Sequence, residues 1–392
     1  MKSTIFVTSY PYVYERYFRL FDHFPEKQRL LFILPKTWEA KGGKIHVTPP
    51  ARSDIAILPT PAYFTHSHYP LIRGLLKGWM PAAARILARR AQKGDILYTA
   101  IEPNLLTTYW NARRAHARGL RHVFFTWQNV PYRTRMKGIK LWITERIIRA
   151  TIRNSAGAIC GNREAAEILA TYVDRPDFKI LVAPISGVDT ERFRPGHPSD
   201  FRQEHNLRDK IVLTFAGVFD HRKGIVTLLD AYEELSLKIQ GVHLVLIGTG
   251  PLEEYIQGWV QKKNLTQWVT VIPWMSNDQL PGVLATSDIF VHPSEPYKGW
   301  EEQFGYSMAE ASASGVPVIA TRSGSIPELI LDGESGILIE PRNSSQLTAA
   351  MFQLVTNEPL RQTMGRRGVQ YIRATYSHES LAAKYRDFFD IL

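Results

Sequence analysis

Continuous apolar runs, separated by segments with helical patterns, account for most of this chain. Ile211–Ala216 and Val242–Ile247 are hydrophobic at every position but one, and neither run alternates, which is typical of parallel strands buried on both faces. Further strands of this kind are predicted at Ile5–Thr8, Asp95–Ala100, His122–Thr126, Val269–Ile272, Ile289–Val291 and Val316–Ala320. Because helical segments lie between these strands, the pattern predicts an α/β protein with doubly wound parallel sheets.

One strand–loop–helix–strand unit, from Ser287 to Thr321, carries the most informative chemistry. Its helix is predicted over Tyr306–Ser314, after a polar loop. The amides of Phe304, Gly305 and Tyr306 are expected to be unpaired donors at the helix start, and such a terminus binds phosphate groups. The unit therefore predicts a phosphate site at this end of a sheet.

Two carboxylates flank this predicted helix terminus. Glu302 comes just before it, and Glu310 lies about 7 Å beyond Gly305 at about 1.5 Å per helical residue. Carboxylates repel phosphate, so they are expected to accept hydrogen bonds from the hydroxyls of a sugar on one side and a ribose on the other. The pattern predicts a nucleotide-sugar site. The alternative is an amphipathic helix whose Glu310 is solvated.

This segment resembles a known family. Glu302 and Glu310, with Phe304-Gly305 between them and Glu-Ala-x-x-x-Gly-x-Pro-Val after, resemble the E-x7-E motif of the family 4 retaining glycosyltransferases, of the glycosyl transferases group 1 type. The resemblance is continuous from about residue 154 and loose before it. It implies the GT-B fold, in which two doubly wound, Rossmann-like domains face a cleft.

The resemblance also implies where the chain divides into domains and which ligand each domain binds. Residues 1–190 are expected to bind the acceptor, and residues 191–370 the nucleotide sugar. The last helix, about residues 371–392, is expected to cross back and join the first domain. A chain of this length fits two domains of ordinary size.

Two cations are assigned to the diphosphate by this resemblance. Lys223, in a Lys-Gly pair, matches the family pattern, whereas Val218 stands where the family has an arginine. Arg222 is expected to replace that arginine from the neighbouring turn. Glu302 is then expected to orient the donor sugar, and Glu310 the ribose.

Further donor-binding candidates follow the strands of the second domain. Gly217 comes directly after one predicted strand and Gly248 after the next, as in the family. The loop after the third strand is the one that meets the nucleotide base in the family. Trp274 or Met275 is therefore expected to contact the base.

Loops after the strands of the first domain supply acceptor-side candidates, since the carboxyl ends of parallel strands face the ligand crevice. Tyr10 and Tyr12 follow the first strand, and their aromatic faces suit sugar rings. Glu102 follows a later strand. Gln128 or Asn129 stands where the family often carries a histidine; an amide removes any general-base role there but can still bind a sugar hydroxyl.

Charge is unevenly distributed along the chain. Residues 1–195 contain 31 Lys and Arg against 14 Asp and Glu, a net charge of +17, whereas the remainder contains 17 against 23, a net charge of −6. A basic first half implies an anionic partner, which could be nucleic acid, phospholipid headgroups or a phosphorylated acceptor. The alternative is solvated surface charge.

Two basic segments, Leu71–Gln92 and Arg133–Asn154, combine Arg and Lys with Leu, Ile and Trp at helical spacing. Pro81 is expected to break the first of them into two. A basic amphipathic helix with Trp on its apolar face suits a membrane surface rich in anionic lipid. An ordinary helix packed on the sheet, with Arg facing outward, explains both segments equally well.

Location is suggested by the start of the chain and by its cysteine content. The opening KSTIFVTSYP lacks the apolar core of a signal peptide, and no window of about 18 apolar residues occurs. The single Cys160 excludes an internal disulfide framework and is expected to be a small core residue. A cytoplasmic protein is expected, or one held peripherally on the inner face of the membrane.

The resemblance implies transfer of a sugar, with retention, from a nucleotide-diphosphate sugar to a lipid-linked, saccharide or small-molecule acceptor. No Asp-x-Asp motif occurs, so neither a metal nor another cofactor is expected; the cations and helix terminus would stabilise the leaving diphosphate. Alternatives on the same fold are a phosphorylase or a nucleotide-sugar epimerase. A nucleic-acid-binding protein is a further alternative, but the usual recognition motifs are missing.

Overall fold

The computed structural model describes residues 2–40, 45–65, 75–273, 275 and 278–392. The chain divides into two compact units. The first contains Met1–Gly187 together with His378–Leu392, and the second is Val188–Ser377. The first division lies three residues before the boundary expected from the sequence at 190/191. The C-terminal segment joins the first unit only from His378, not from residue 371.

Strands are short and parallel within the two large sheets. In chain order they are β1 (Ile5–Thr8), β2 (Leu30–Pro35), β3 (Trp38–Ala40), β4 (Ile45–Val47), β5 (Ala56–Thr60), β6 (Ile96–Thr99), β7 (Arg121–Thr126), β8 (Gly157–Cys160), β9 (Lys179–Val182), β10 (Ile211–Ala216), β11 (Val242–Ile247), β12 (Val269–Ile272), β13 (Ile289–His292), β14 (Val318–Thr321) and β15 (Gly336–Ile339). Most are buried on both faces, which explains their continuous hydrophobicity.

Each unit is built on one of the large sheets. The first has seven parallel strands in the order β5-β2-β1-β6-β7-β8-β9. The second has six parallel strands in the order β12-β11-β10-β13-β14-β15. The predicted pair of doubly wound α/β units is therefore confirmed. A small antiparallel pair, β3 and β4, accompanies the first sheet.

Helices connect successive strands. In chain order the α-helices are α1 (Glu15–Phe18), α2 (Pro81–Arg90), α3 (Leu106–Ala117), α4 (Tyr132–Arg135), α5 (Gly138–Arg153), α6 (Arg163–Ala170), α7 (Phe201–Glu204), α8 (Ile225–Lys238), α9 (Glu253–Lys262), α10 (Leu280–Ala285), α11 (Tyr306–Ala313), α12 (Ile326–Leu329), α13 (Ser344–Thr356), α14 (Glu358–Tyr376) and α15 (His378–Asp390). Among the helices of the described ranges, none is long and apolar enough to span a membrane.

The predicted break at Pro81 is confirmed: Leu75 and Leu76 are helical, a turn follows, and α2 begins at Pro81, where a proline costs no hydrogen bond. Residues 71–74 lie outside the described ranges. Two other helical predictions need correction. The segment after Arg133 forms two helices, α4 and α5. The expected C-terminal helix is interrupted at Ser377, whose extended backbone ends α14 before α15 begins.

Cys160 is fully buried at the end of β8 and packs against Phe124 and Ala158. The prediction of a small core residue is therefore confirmed. Burial raises the pKa of the Cys160 thiol far above its ordinary value, so the thiolate that reacts with oxidants or metals is not formed near neutral pH.

Candidate active site

The second sheet changes winding direction between β10 and β13. β10 pairs with β11 on one side and with β13 on the other, and β13 in turn pairs with β14. Ligands of open α/β sheets bind beyond the carboxyl ends of the strands at such a point. The loops that follow β10, β13 and β14 are therefore the natural walls of a site.

A buried ion pair joins two of these loops. Lys223, after β10, donates from Nζ to Oε2 of Glu302, which lies in the segment after β13. Both side chains are largely buried. An ion pair removed from water requires further hydrogen bonds to hold it together, and those come from the end of β13.

His292 and Ser294 supply these bonds. His292 Nε2 lies 3.1 Å from Glu302 Oε2, and the Ser294 hydroxyl donates to the same oxygen at 3.1 Å. His292 Nε2 and Ser294 Oγ are 2.9 Å apart. Since the buried Nδ1 finds no partner within the described part of the chain, the neutral imidazole carries its proton on Nε2.

These contacts keep Glu302 ionised. Burial by itself would raise the pKa of Glu302, but the charge of Lys223 and the bond from His292 lower that pKa well below the ordinary range. Burial also lowers the pKa of His292, so its ring stays neutral. A carboxylate that holds no proton cannot act as a general acid, but it can accept hydrogen bonds and supply negative charge.

The loop after β14 fixes the backbone of Glu302. The Ser325 amide donates to the Glu302 carbonyl at 3.0 Å, and the Gly324 amide donates to a carboxylate oxygen of Glu301 at 3.1 Å. Gly324 has a φ of +53°, and a Cβ at this position would collide with the Glu302 carbonyl oxygen. The close approach that positions Glu302 thus requires glycine.

Helix α11 begins immediately after this segment. Gly305 is its N-cap residue, in the left-handed conformation, and accepts from the Met308 amide at 3.0 Å. As a glycine, Gly305 has no side chain with which to cap this terminus. Since the helix begins at Tyr306, Phe304 precedes the cap, and its buried ring meets Tyr376 edge-on at 5.4 Å. The terminus predicted to bind phosphate therefore exists, and it follows Glu302 directly.

Glu310 lies within α11, five residues after the N-cap residue Gly305. It is half-buried, and its backbone carbonyl accepts from both the amide and the hydroxyl of Ser314 at the end of the helix. The structure thus places both acidic residues of the motif on the α11 segment, with the helix start between them. The ribose contact assigned to Glu310 stays a prediction.

Arg222 occupies the turn beside Lys223. Its guanidinium binds Asp220, with Nε 2.9 Å from Oδ2, and lies 4.8 Å above the Trp300 ring. Lys223 Nζ is 5.1 Å from the centre of the same ring. The two cations predicted to grip the diphosphate are therefore adjacent, but Arg222 is already bonded to a carboxylate. Its assignment as the replacement arginine stays a prediction.

The other donor-binding candidates occupy the carboxyl ends of neighbouring strands. Gly217 donates its amide to Ile247, and a Cβ on Gly248 would collide with the Gly217 carbonyl, so the two loops touch through their backbones. Met275 lines a cavity of about 500 Å³ with Phe201 and other residues of the second unit. Trp274 lies outside the described residues.

In the first unit the sheet reverses between β1 and β6, and Tyr10 follows β1. Its ring stacks on Trp38 with centroids 4.1 Å apart, and Lys77 Nζ lies 4.5 Å from the ring centre. Tyr10 thus forms part of an aromatic surface beside a cation. This is compatible with the predicted contact to a saccharide, which stays a prediction.

Tyr12 does not line a pocket, contrary to the expectation from the sequence. A short 3₁₀ helix, Pro11–Val13, turns its side chain into the core, where it is fully buried. The Tyr12 hydroxyl donates to the carbonyl of Ile185 at 3.2 Å, and its ring meets Phe21 edge-on at 5.0 Å. Tyr12 is therefore a packing residue.

The two loops predicted to face the same edge do meet. Glu102, after β6, accepts from the Thr126 hydroxyl at 2.6 Å and from the Trp127 amide at 2.8 Å. Burial raises the pKa of Glu102, and these two bonds lower it in part. Gln128 donates its side-chain amide to the Val130 carbonyl. Glu102 and Gln128 thus organise the loop after β7.

Asn129 is buried in that same loop. Its contact with a sugar hydroxyl, like that of Gln128, stays a prediction.

Sequence reasoning missed three residues of this site: His292, Ser294 and Trp300. A signal for His292 was present, because a polar residue closing an apolar strand lies at the ligand edge of a parallel sheet. Trp300 carried a weaker signal. It closes a tight turn in which Tyr297 and Trp300 exchange backbone bonds across Lys298 and Gly299, both with positive φ.

The neutral state of His292 has a measurable consequence. Unfolded histidine takes up a proton below about pH 6.5, whereas folded His292 resists it, so acid destabilises the folded protein. His292→Gln, which retains a donor to Glu302, is expected to reduce the loss of unfolding free energy between about pH 7 and pH 5. The reduction is at most about 1.4 kcal/mol per pH unit.

Urea unfolding at a series of pH values measures this effect. His116→Gln, at an exposed position on α3, serves as the control and should leave the slope unchanged. An unchanged slope in His292→Gln would show that the pKa of His292 is the same in the folded and the unfolded state.

Residues 198–371 match the family of glycosyl transferases group 1. All of them lie in the second unit. Most of the second unit therefore matches the glycosyl transferases group 1 family, which the motif around Glu302 and Glu310 resembles.

Two curated relatives resemble parts of the chain. The GDP-mannose-dependent alpha-(1-6)-phosphatidylinositol monomannoside mannosyltransferase of Mycobacterium tuberculosis is 31% identical over 206 residues, which cover 52% of this chain and 54% of that protein. The D-inositol 3-phosphate glycosyltransferase of Corynebacterium jeikeium is 30% identical over 237 residues, which cover 57% and 54%. The chain thus spans about half the length of the curated relatives it matches.

Solved structures share the architecture along the whole chain. Anabaena Alr3699/HepE, crystallised in complex with UDP, has a TM-score of 0.74 at 16% identity, covering 99% of this chain and 100% of that one. Sucrose-phosphate synthase from Thermosynechococcus elongatus has a TM-score of 0.72 at 20% identity, covering 100% of both. At these identities the similarity concerns the fold alone, and it confirms the GT-B class expected from the sequence.

Proposed function

We propose that this chain is a glycosyltransferase that moves a sugar from a nucleotide-diphosphate sugar to a lipid-linked, saccharide or small-molecule acceptor. The observation that carries the proposal is the ionised Glu302, bonded to Lys223 and His292 directly before the start of α11. A negative group, a cation and a helix terminus lie together at a topological switch point. This set matches a ligand that carries both hydroxyls and phosphates.

Each part of this arrangement has a chemical role in the proposed reaction. The α11 terminus and Lys223 face the diphosphate, whose negative charge grows as it leaves the sugar. A lysine ammonium has three donors, so its bond to Glu302 is compatible with further bonds to phosphate oxygens. Glu302 accepts from the hydroxyls of the donor sugar and holds the ring in position.

Retention of anomeric configuration and independence of metal form the finer part of the proposal. Retention rests on the E-x7-E resemblance at Glu302 and Glu310. Metal independence is supported by Lys223, Arg222 and the α11 terminus, which together supply the positive potential that a divalent ion gives other enzymes. Enzyme assays with a chelator, and product analysis by NMR, test the two points separately.

The relatives narrow the class of substrates. One uses GDP-mannose and a phosphatidylinositol mannoside by its name, and the Anabaena structure holds UDP. We infer that the donor is a nucleoside-diphosphate sugar. We also infer that the acceptor binds to the first unit, where Tyr10 and Trp38 form the aromatic surface described above. A cytoplasmic location, with peripheral attachment to the inner membrane face, completes the proposal.

Thermal unfolding with a panel of nucleoside diphosphates and their sugars tests the donor. A ligand present at about 100 times its Kd stabilises the folded state by about 2.7 kcal/mol, so at least one compound should raise Tm. Lys223→Met should reduce that rise, whereas Lys262→Met, at an exposed position of α9, should not. No rise with any member of the panel would contradict the proposal.

A substitution at Val218 is expected to improve binding of the sugar donor. Val218 stands where the family has an arginine, and its side chain is 47% exposed, so an arginine can be accommodated. Val218→Arg is expected to lower KM for the donor about tenfold, since a hydrogen bond to a charged group contributes about 1.5–3 kcal/mol and exposure reduces it. Val182→Arg, a similarly exposed valine of the first unit, is the control; equal KM values in both variants would refute the prediction.

A further inference from the structure

Helix α5 exposes three large apolar side chains side by side. Ile139 is 75% exposed, Trp142 55% and Ile143 42%. Single exposed hydrophobic residues are ordinary on protein surfaces, but a contiguous group of this kind marks an interaction site. These three residues are called the α5 face below.

Helix α5 is packed onto the first unit by residues outside the α5 face. At about 100° per residue, Ile139, Trp142 and Ile143 fall within one arc, and Ile148 and Ile152 lie on the opposite side. Those two are fully buried in a core cluster with Phe124 and Tyr132. The inner side therefore attaches the helix to the first unit, and the α5 face is available to contact a partner.

Cations surround the α5 face. Residues 131–154 contain seven Lys and Arg but a single acidic residue, Glu145. Lys137 and Lys140 are exposed next to Ile139. The Arg146 guanidinium lies 4.7 Å above the Trp142 ring, so its charge is held directly beside the apolar group.

The more distant cations of α5 are turned back onto the protein. Arg153 forms an ion pair with Asp174 at 3.7 Å, and Arg149 lies 5.3 Å above the ring of Tyr172. The charge available to a partner is thus concentrated around the α5 face.

The other basic segment behaves differently. In α2, Ala83 and Leu87 are buried and Ile86 packs partly against the core, while Arg85 and Arg89 point outward. Helix α2 is therefore an ordinary surface helix. Of the two explanations that the sequence left open, the ordinary helix packed on the sheet is the one that fits α2.

We propose that the α5 face docks on the surface of an anionic lipid bilayer. Trp142 and the two isoleucines enter the headgroup region, while Lys137, Lys140 and Arg146 pair with lipid phosphates. A second copy of the chain would bring like charges together, and a nucleic acid would leave Ile139 and Ile143 in water. The lipid surface satisfies both the charge and the apolar group.

Docking on a bilayer deepens the proposed function and rests on it in one respect: an enzyme with a lipid-linked acceptor must reach a membrane. Vesicle binding is measured without donor or sugar transfer. Failure of docking and failure of the proposed activity are therefore distinguishable.

Cosedimentation of the full chain with vesicles tests the proposal. Vesicles of phosphatidylglycerol and phosphatidylcholine in equal parts are compared with phosphatidylcholine alone, at low and at high salt. The wild-type chain should bind the anionic vesicles, and salt should weaken this binding. The triple variant Ile139→Ser, Trp142→Ser, Ile143→Ser should bind at least about tenfold more weakly, with an unchanged thermal unfolding curve because the residues are exposed.

Matched variants separate the contributions. Leu237→Ser removes an 83% exposed leucine of α8 in the second unit and should bind like the wild type. Lys137→Gln with Lys140→Gln should weaken binding to anionic vesicles by about fivefold per charge, whereas Lys262→Gln with Arg366→Gln should not.

Three results would overturn the assignment. One is a wild-type chain that does not bind anionic vesicles, and another is a triple variant that binds them equally well. The third is self-association, or salt-sensitive binding to a nucleic-acid duplex, that is lost in the triple variant while vesicle binding persists; it would assign the α5 face to that partner.

Discussion

Glu302→Gln is expected to lower kcat for sugar transfer by about 10²- to 10³-fold, the usual effect of removing one preorganised charged or polar group from a transition state. The amide keeps the size of the side chain and can still accept from Ser294. It loses the negative charge that Lys223 and His292 hold in place. A steady-state assay with saturating donor measures kcat.

Glu334→Gln is the matched control, because Glu334 forms a surface ion pair with Arg367 in the same unit. It should retain wild-type kcat, since exposed ion pairs contribute little. A Glu302→Gln enzyme with full kcat would remove Glu302 from the reaction and leave it a structural role only.

The second large effect concerns stability. Lys223→Met leaves the Glu302 carboxylate buried without its cation, and Glu302→Gln leaves the Lys223 ammonium without its anion. Breaking a buried pair from one side typically costs about 3–5 kcal/mol. Each single variant is therefore expected to lose stability on this scale, whereas the double variant should lose clearly less than the sum.

Urea unfolding of the four proteins in this cycle gives the coupling energy, expected at about 0.5–3 kcal/mol for residues in contact. Strict additivity would show that Lys223 and Glu302 are not paired in solution. The double variant should lose less stability than the two single losses added together, and it should not regain sugar transfer.

Parts of the fold followed from local sequence alone. β1, β10, β11 and β12 have the predicted bounds, because a mostly apolar run that does not alternate is typical of a strand inside a parallel sheet. The start of α11 at Tyr306 was also predicted, since Gly305 and the Ala-rich segment after it are local signals.

The contacts that Lys223 and His292 make with Glu302 could not be predicted from local sequence. His292 and Lys223 are 69 positions apart along the chain, and they meet only because β10 and β13 are neighbours in the sheet. Strand order is a non-local property that the apolar pattern of any one strand does not contain. The sequence therefore pointed to Lys223 and Glu302 separately, but not to the ion pair between them.

Two errors have local causes. Tyr12 was placed at a pocket because it follows a strand, but the 3₁₀ turn at Pro11 rotates it into the core. The C-terminal helix was expected to be continuous, but Ser377 adopts an extended backbone between α14 and α15. Single-residue changes of direction leave little trace in a pattern averaged over helical turns.

The central feature of the proposed site is a helix terminus that binds a diphosphate between two acidic residues. A crystal structure of the chain with a nucleotide-diphosphate sugar tests this feature most directly. Pyrophosphate oxygens should lie within hydrogen-bond distance of Lys223 Nζ and of the amides that begin α11, with sugar hydroxyls on Glu302 and ribose hydroxyls on Glu310. A diphosphate bound away from α11, or a terminus covered by protein in that complex, would contradict it.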